Sequence, residues 1–130
     1  MIDIREADWK RLRQLHPIAL DRLCQKALSE IQEQCARTDN SPHERYLSVY
    51  STVEKRDRQV ARIFNDLRRS NGLSRLALMV SHGLINAEEL ASFSSEAQSE
   101  VGMLTGRQRV AQPSVPPDVP AAASRRQGRG

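Results

Sequence analysis

Aromatic side chains are scarce in this chain: one Trp, two Tyr and two Phe among 130 residues. Any core must therefore be built from Leu, Ile, Val and Ala. Long apolar runs are missing too. The longest, Leu76 to Val80, is far short of the about 20 residues that cross a bilayer, so no membrane partner is expected. The opening Met1-Ile2-Asp3-Ile4-Arg5-Glu6 has no charged-then-apolar secretory pattern, and a cytoplasmic location is expected. Cysteine is limited to Cys24 and Cys35. Within one helix their Cα atoms would stand roughly 16 Å apart, beyond disulfide reach. They are expected to be buried small hydrophobes on an apolar face.

Catalytic constellations are lacking as well. There is no G-x-S-x-G elbow, no glycine-rich phosphate loop and no cysteine with a base nearby. His16, His43 and His82 are scattered, and His43-Glu44 lacks the second histidine of a zinc-protease helix, since Leu47 stands there. The Glu88-Glu89 pair suits a helix start, where carboxylates favour the dipole. These absences point away from an enzyme. No catalytic, cofactor-binding or metal-ligating residue is assigned, and no small-molecule ligand is inferred.

A basic excess is present, but not in the body. Residues 107–130 hold five Arg and one Asp, whereas residues 1–106 hold fifteen basic and fifteen acidic residues. The whole net charge of +4 thus belongs to the last stretch. Its Pro-rich run from Gln112 to Pro120 and its closing Arg-Arg-Gln-Gly-Arg-Gly lack the apolar area to offset ordering. The division expected is a helical domain over 1–106 and a disordered Pro- and Arg-containing tail over 107–130.

Helical signals fill the body. Asp3 with Glu6 reads as a capping box for a first helix, with Trp9, Leu12 and Leu15 on its apolar edge and His16-Pro17 as its end. A second helix over 17–36 carries Leu20, Leu23, Cys24, Ala27, Leu28 and Ile31 at three- and four-residue steps. Ser41-Pro42-His43-Glu44 is a capping box with proline at the first helical position. The third helix it opens is expected to reach Asn71-Gly72, with a seam of Tyr46, Val49, Tyr50, Val53, Val60, Phe64 and Leu67. Shorter helices follow: one through Leu73 to Val80, closed by His82-Gly83, one capped by Asn86 with Glu89, and one from Ser95 to Thr105. The fold class is all-α: a small bundle of five or six helices dominated by a long antiparallel pair.

The third helix, at about 28 residues, would be roughly 42 Å long. A compact domain of this size is only about 33 Å across, so the helix is expected to overhang and to offer a docking surface. Asp57 falls inside the apolar stripe, with no basic residue three or four positions away. Two readings stand: packing lapses and Asp57 meets water, or it pairs with Arg56, Arg58 or Arg62 of a second chain. The candidate interface is Tyr46, Tyr50, Val53, Asp57, Val60 and Phe64.

A candidate basic face on the same helix comprises Lys55, Arg58, Arg62 and Arg69. A helix-turn-helix over Leu73 to Phe93 is rejected, because its second helix would bring Glu88 and Glu89 to the phosphates. Gly83-Leu84-Ile85-Asn86-Ala87-Glu88-Glu89-Leu90, preceded by Leu73, Leu76 and Leu78, resembles the SHOCT-type short helical hairpins of bacterial proteins. That resemblance covers residues 73–93 and implies self-association. The leading reading is a non-enzymatic protein-interaction or self-association module, with a protein partner or homodimer. The alternative is a nucleic-acid-associated regulator using the 54–69 face and the arginine tail.

Overall fold

The computed structural model describes residues 3–111, and among them the chain is all helical, with five α-helices and no strand. Helix α1 spans Glu6–Cys35, α2 Pro42–Phe64, α3 Gly72–Ser81, α4 Ala87–Ala91 and α5 Ser95–Ala111, with a 3₁₀ turn at Arg69–Asn71. Helix α5 runs on through residues 107–111, the first residues of the stretch read as tail. Residues 112–130 of the expected 107–130 tail lie outside the described residues.

Three helix boundaries differ from expectation. The first helix begins at Glu6, not under an Asp3 cap; Arg5 is the extended residue before it. Ile4 is buried in the core, which holds residues 3–5 off the helix. The expected break at His16-Pro17 is absent, and α1 is one 30-residue helix with Pro17 inside. An interior proline costs about 3 kcal/mol. Leu12, Leu15, Ala19 and Leu23 are all buried on one side of α1, and each large aliphatic contributes roughly 1.5–3 kcal/mol. Pro17 itself is exposed, so the ring faces away from that core and packing outweighs the missing bond.

The third difference is the rod from Ser41 to Gly72, which is broken at Phe64. Asn65 is extended (ψ 143°) and Asp66 is left-handed (φ 65°), a conformation in which Asp is among the tolerated residues. The Asn71 side chain fastens the reversal, donating to the Asp66 carbonyl (2.9 Å) and accepting from Arg68 N (2.8 Å). Gly72 is therefore no left-handed cap; it opens α3. A Cβ there would sit 3.2 Å from Ile4 Cδ1 and 3.5 Å from Leu12 Cδ2, so the glycine permits close approach. Left-handed geometry falls to Gly83 (φ 72°). Leu84 N donates to the Met79 carbonyl (2.8 Å) and Gly83 N to that of Val80 (3.0 Å), the two bonds of a Schellman ending.

Two of the expected caps are formed as read. Ser41 Oγ accepts from Glu44 N (3.1 Å) while Glu44 Oε1 accepts from Ser41 N (2.8 Å). Asn86 and Glu89 repeat the arrangement at α4, at 2.7 and 2.9 Å.

The buried core lies at one end. It joins the first two-thirds of α1 to the end of α2 (Ile63 and Phe64), to α3 (Leu73, Leu76, Ala77, Met79) and to Leu84, Phe93, Ala97, Val101 and Leu104. Side chains of α1 also hold this head by its loops. Asp8, itself buried, accepts from Ser94 N (2.9 Å) and Ser94 Oγ (2.6 Å), and Ser94 Oγ caps α5 at Ala97 N (3.1 Å). Arg22 grips Glu89 with both terminal nitrogens (2.6 and 3.0 Å) and reaches the Leu84 carbonyl (2.9 Å). Lys26 donates to the His82 carbonyl at 2.8 Å.

Candidate interaction face

Past that core the two long helices continue as a bare hairpin. No residue between Cys24 and Arg62 is buried. The tip formed by α1 from Cys24 and by the facing part of α2 is about 18 Å long at 1.5 Å per residue. It has no third helix against it among the described residues.

The seam that closes this hairpin is largely polar, with Ala27, Ile31 and Val49 half-buried beside its polar groups. Glu30 accepts from Arg56 Nε (2.8 Å), Gln34 donates to Thr52 Oγ1 (2.7 Å), and Arg45 caps α1 at the Cys35 carbonyl (2.9 Å). The Arg56 hydrogen bond holds the Glu30 carboxyl below its ordinary range. Two buried polar atoms of the seam, Gln34 Oε1 and Arg45 Nε, have no partner among the described residues. Ser48, Thr52, Arg56 and Gln59 are half-buried at three- and four-residue steps, which identifies them as the face of α2 turned to α1.

The apolar stripe of α2 points elsewhere. Wound at 100° per residue, Tyr46, Tyr50, Val53 and Asp57 centre roughly 130° away from that polar face. Tyr46 is 65% exposed, Tyr50 55% and Val53 47%, and Asp57 is exposed without an ion pair among the described residues. On α1, Cys24, Leu28, Ile31 and Cys35 fall within roughly 60° of one another on the same winding. Both cysteines are exposed, which corrects their assignment to a buried face, and Leu28 is 53% exposed. In an antiparallel pair, azimuths measured from the contact line run round to the same side. The α1 and α2 stripes therefore form one side of the hairpin.

The candidate interface residues thus divide. Tyr46, Tyr50, Val53 and Asp57 lie on the open side. Val60 is half-buried, and Phe64 is buried in the chain's own core, where His16 meets its ring edge-on at 5.2 Å between centroids. Phe64 is accordingly withdrawn from the free surface. The basic face is dispersed in the same way: Arg69 pairs with Glu6 and stacks over Trp9, while Lys55, Arg58 and Arg62 remain exposed on α2. His16 Nε2 lies 3.1 Å from the Phe64 carbonyl and His82 Nδ1 2.9 Å from that of Leu78. Among the described residues no three His, Cys, Asp or Glu stand close enough to hold a metal ion. No described helix is long and apolar enough to cross a membrane.

The polar staples were invisible to residue patterning. Arg22 and Glu89 are 67 positions apart, and Asp8 and Ser94 are 86 apart, so no local spacing announces either pair.

No protein-family model matches the chain, and no curated protein matches it. Among solved structures, it is similar to the Fluorescence Recovery Protein from Synechocystis sp PCC 6803, determined as a point variant. The TM-score is 0.65 at 20% identity, and the match covers 78% of this chain and 97% of that one. At that identity the likeness shows a shared fold.

Proposed function

We propose that this chain is a non-enzymatic protein-interaction module that self-associates through the open side of its α1–α2 hairpin. One observation carries the reading: the hairpin tip has an apolar side that nothing among the described residues covers, while its own seam is largely polar. Within the tip the two helices fully bury no residue against each other and gain little from packing, which is where most helical stability arises. A second layer over the open side supplies what is missing.

The side is roughly 20 Å square, on the order of 400 Å² in projection and within the range of the largest apolar patches on monomers. A second copy fits it by charge. Residues 24–62 carry seven basic and six acidic groups, so two tips meet without strong repulsion. The shared fold with a protein named for an effect on fluorescence, not for a reaction, is compatible with a binding role.

Light scattering and sedimentation of the full chain across a concentration series test this. A dimer is expected, and the Tyr50→Glu, Val53→Glu double variant is expected to be monomeric while keeping its helical spectrum. A monomer at every concentration, or a double variant that still dimerises, overturns the reading.

A further inference from the structure

The α4–α5 side of the head is acidic: residues 86–106 hold Glu88, Glu89, Glu96 and Glu100 and no base. Their surroundings set these four apart. Glu89 is gripped by Arg22 and Glu96 pairs with Arg5, while Glu88 is exposed to water. Glu100 is only 9% exposed. It stands on α5 beside Ala97, Val101 and Leu104, the residues with which that helix enters the core. It has no hydrogen bond or ion pair among the described residues. The positions three and four away hold Glu96, Ala97, Met103 and Leu104, so no base on the neighbouring turns serves it. Burying a carboxylate without a partner is costly, and glutamate is almost never so deeply covered unless paired.

The way in for a partner is an open groove along α5, lined by Ser95, Glu96, Ser99, Glu100 and Met103. Its chemistry matches arginine. The Glu100 carboxylate accepts from the planar fork of a guanidinium, the serine hydroxyls accept further N–H groups, and the exposed Met103 side chain covers the apolar stem.

The chain carries such arginines itself. Beyond Ala111 the first bases are Arg125 and Arg126, and residues 112–130 hold three Arg against one Asp. Glu100 lies eleven residues before Ala111, about 16 Å back along α5. Fourteen residues lead from Ala111 to Arg125. They can span up to about 50 Å, roughly three times the distance needed. We propose that the C-terminal segment folds back along α5 and seats Arg125-Arg126 in this groove, with a guanidinium on Glu100. The contact belongs to the head and is independent of the self-association at the tip. Seated there, the segment withholds its positive charge from anionic partners.

Trypsin reads this contact, because it must take the same guanidinium into its own pocket to cleave after Arg125 or Arg126. In low-salt buffer the full chain should be cut there at least about twofold more slowly than its Glu100→Gln variant, the factor for a segment seated half the time or more. Glu88→Gln should leave the rate unchanged. Equal rates in the unaltered chain and Glu100→Gln overturn the proposal. So does equal acceleration by both variants, since a diffuse acidic field would then suffice. Amide spectra of the full chain give a readout that leaves α5 unaltered. The Arg125→Gln, Arg126→Gln double variant should shift the resonances of residues 95–103 at every protein concentration, and about 0.5 M salt should reproduce the shift. Unmoved resonances, a shift produced by Arg107→Gln in place of the double variant, or one that fades on dilution would each sink the in-chain contact.

Discussion

The head and the hairpin tip are built from the same two helices on opposite principles. In the head, α1 presents Leu12, Leu15, Ala19 and Leu23 to partners that bury them completely, and polar groups act at the edges as Asp8, Arg22 and Lys26 staples. In the tip, the polar groups are inside the seam and the apolar ones outside. Amphipathicity reports that a helix has an apolar side, not that its own chain covers it. The tip is the case where the two separate, and the proposed interaction rests on that separation.

Truncation separates the regions most sharply. Leu76, fully buried in α3, should cost about 2–5 kcal/mol when changed to Ala, the range for large-to-small core substitutions. Tyr50→Ala should cost within about 0.5 kcal/mol of monomer stability, as an exposed substitution does, yet weaken the dimer. Denaturant unfolding at low protein concentration measures both, with light scattering alongside. Equal losses in the two variants would mean that the tip is packed within one chain and would break the contrast.

Acid should loosen the head by releasing its staple. The bidentate hydrogen bond from Arg22, helped by the Asn86 amide, holds Glu89 below its ordinary value of 4.5. A carboxylate depressed in the folded state contributes stability above its unfolded pKa and loses it as pH falls through the folded one. Stability should therefore be flat near neutrality and fall below about pH 4.5. Glu89→Gln should remove on the order of 1 kcal/mol at neutral pH, after allowing for solvent around half-exposed Arg22. It should also reduce the acid slope, as thermal melts between pH 3 and pH 7 would show. An unchanged slope would assign acid sensitivity to other carboxylates.

The residues that were legible in the sequence are those whose partners are local. Ser41 with Glu44 and Asn86 with Glu89 are caps three positions apart, and the three- and four-residue recurrence of Leu marks each helix. Pro17 misled because the rule against interior proline is local, whereas the burial that overrides it comes from α3 and the end of α2. Spacing alone carries the rod through Asn65-Asp66, because Phe64 and Leu67 continue the period across the turn. With α2 ending at Phe64 the helix does not overhang, and its length gives no argument for a docking surface. What the structure has is an exposed apolar stripe, a matter of its direction, and residue spacing along one helix cannot state which neighbour a stripe faces. The same limit applies to Cys24 and Cys35, which spacing puts on an apolar face and the fold leaves exposed.

The smallest effect probes the tip's seam itself. Gln34 bonds Thr52, but its Oε1 is buried without a partner, so this half of the seam is only partly satisfied. Replacing both members of a buried polar pair by apolar groups of similar shape is nearly neutral or stabilising, whereas removing one member leaves the other unsatisfied. The Gln34→Leu, Thr52→Val double variant should thus change stability by less than about 1 kcal/mol, toward greater stability, while either single change is the worse of the two. A double-mutant cycle by urea unfolding reads this directly. If the double variant instead falls by more than either single one, the polar seam is what fixes the hairpin. The tip would then be as self-sufficient as the head, and its open side would have no energetic claim on a second copy.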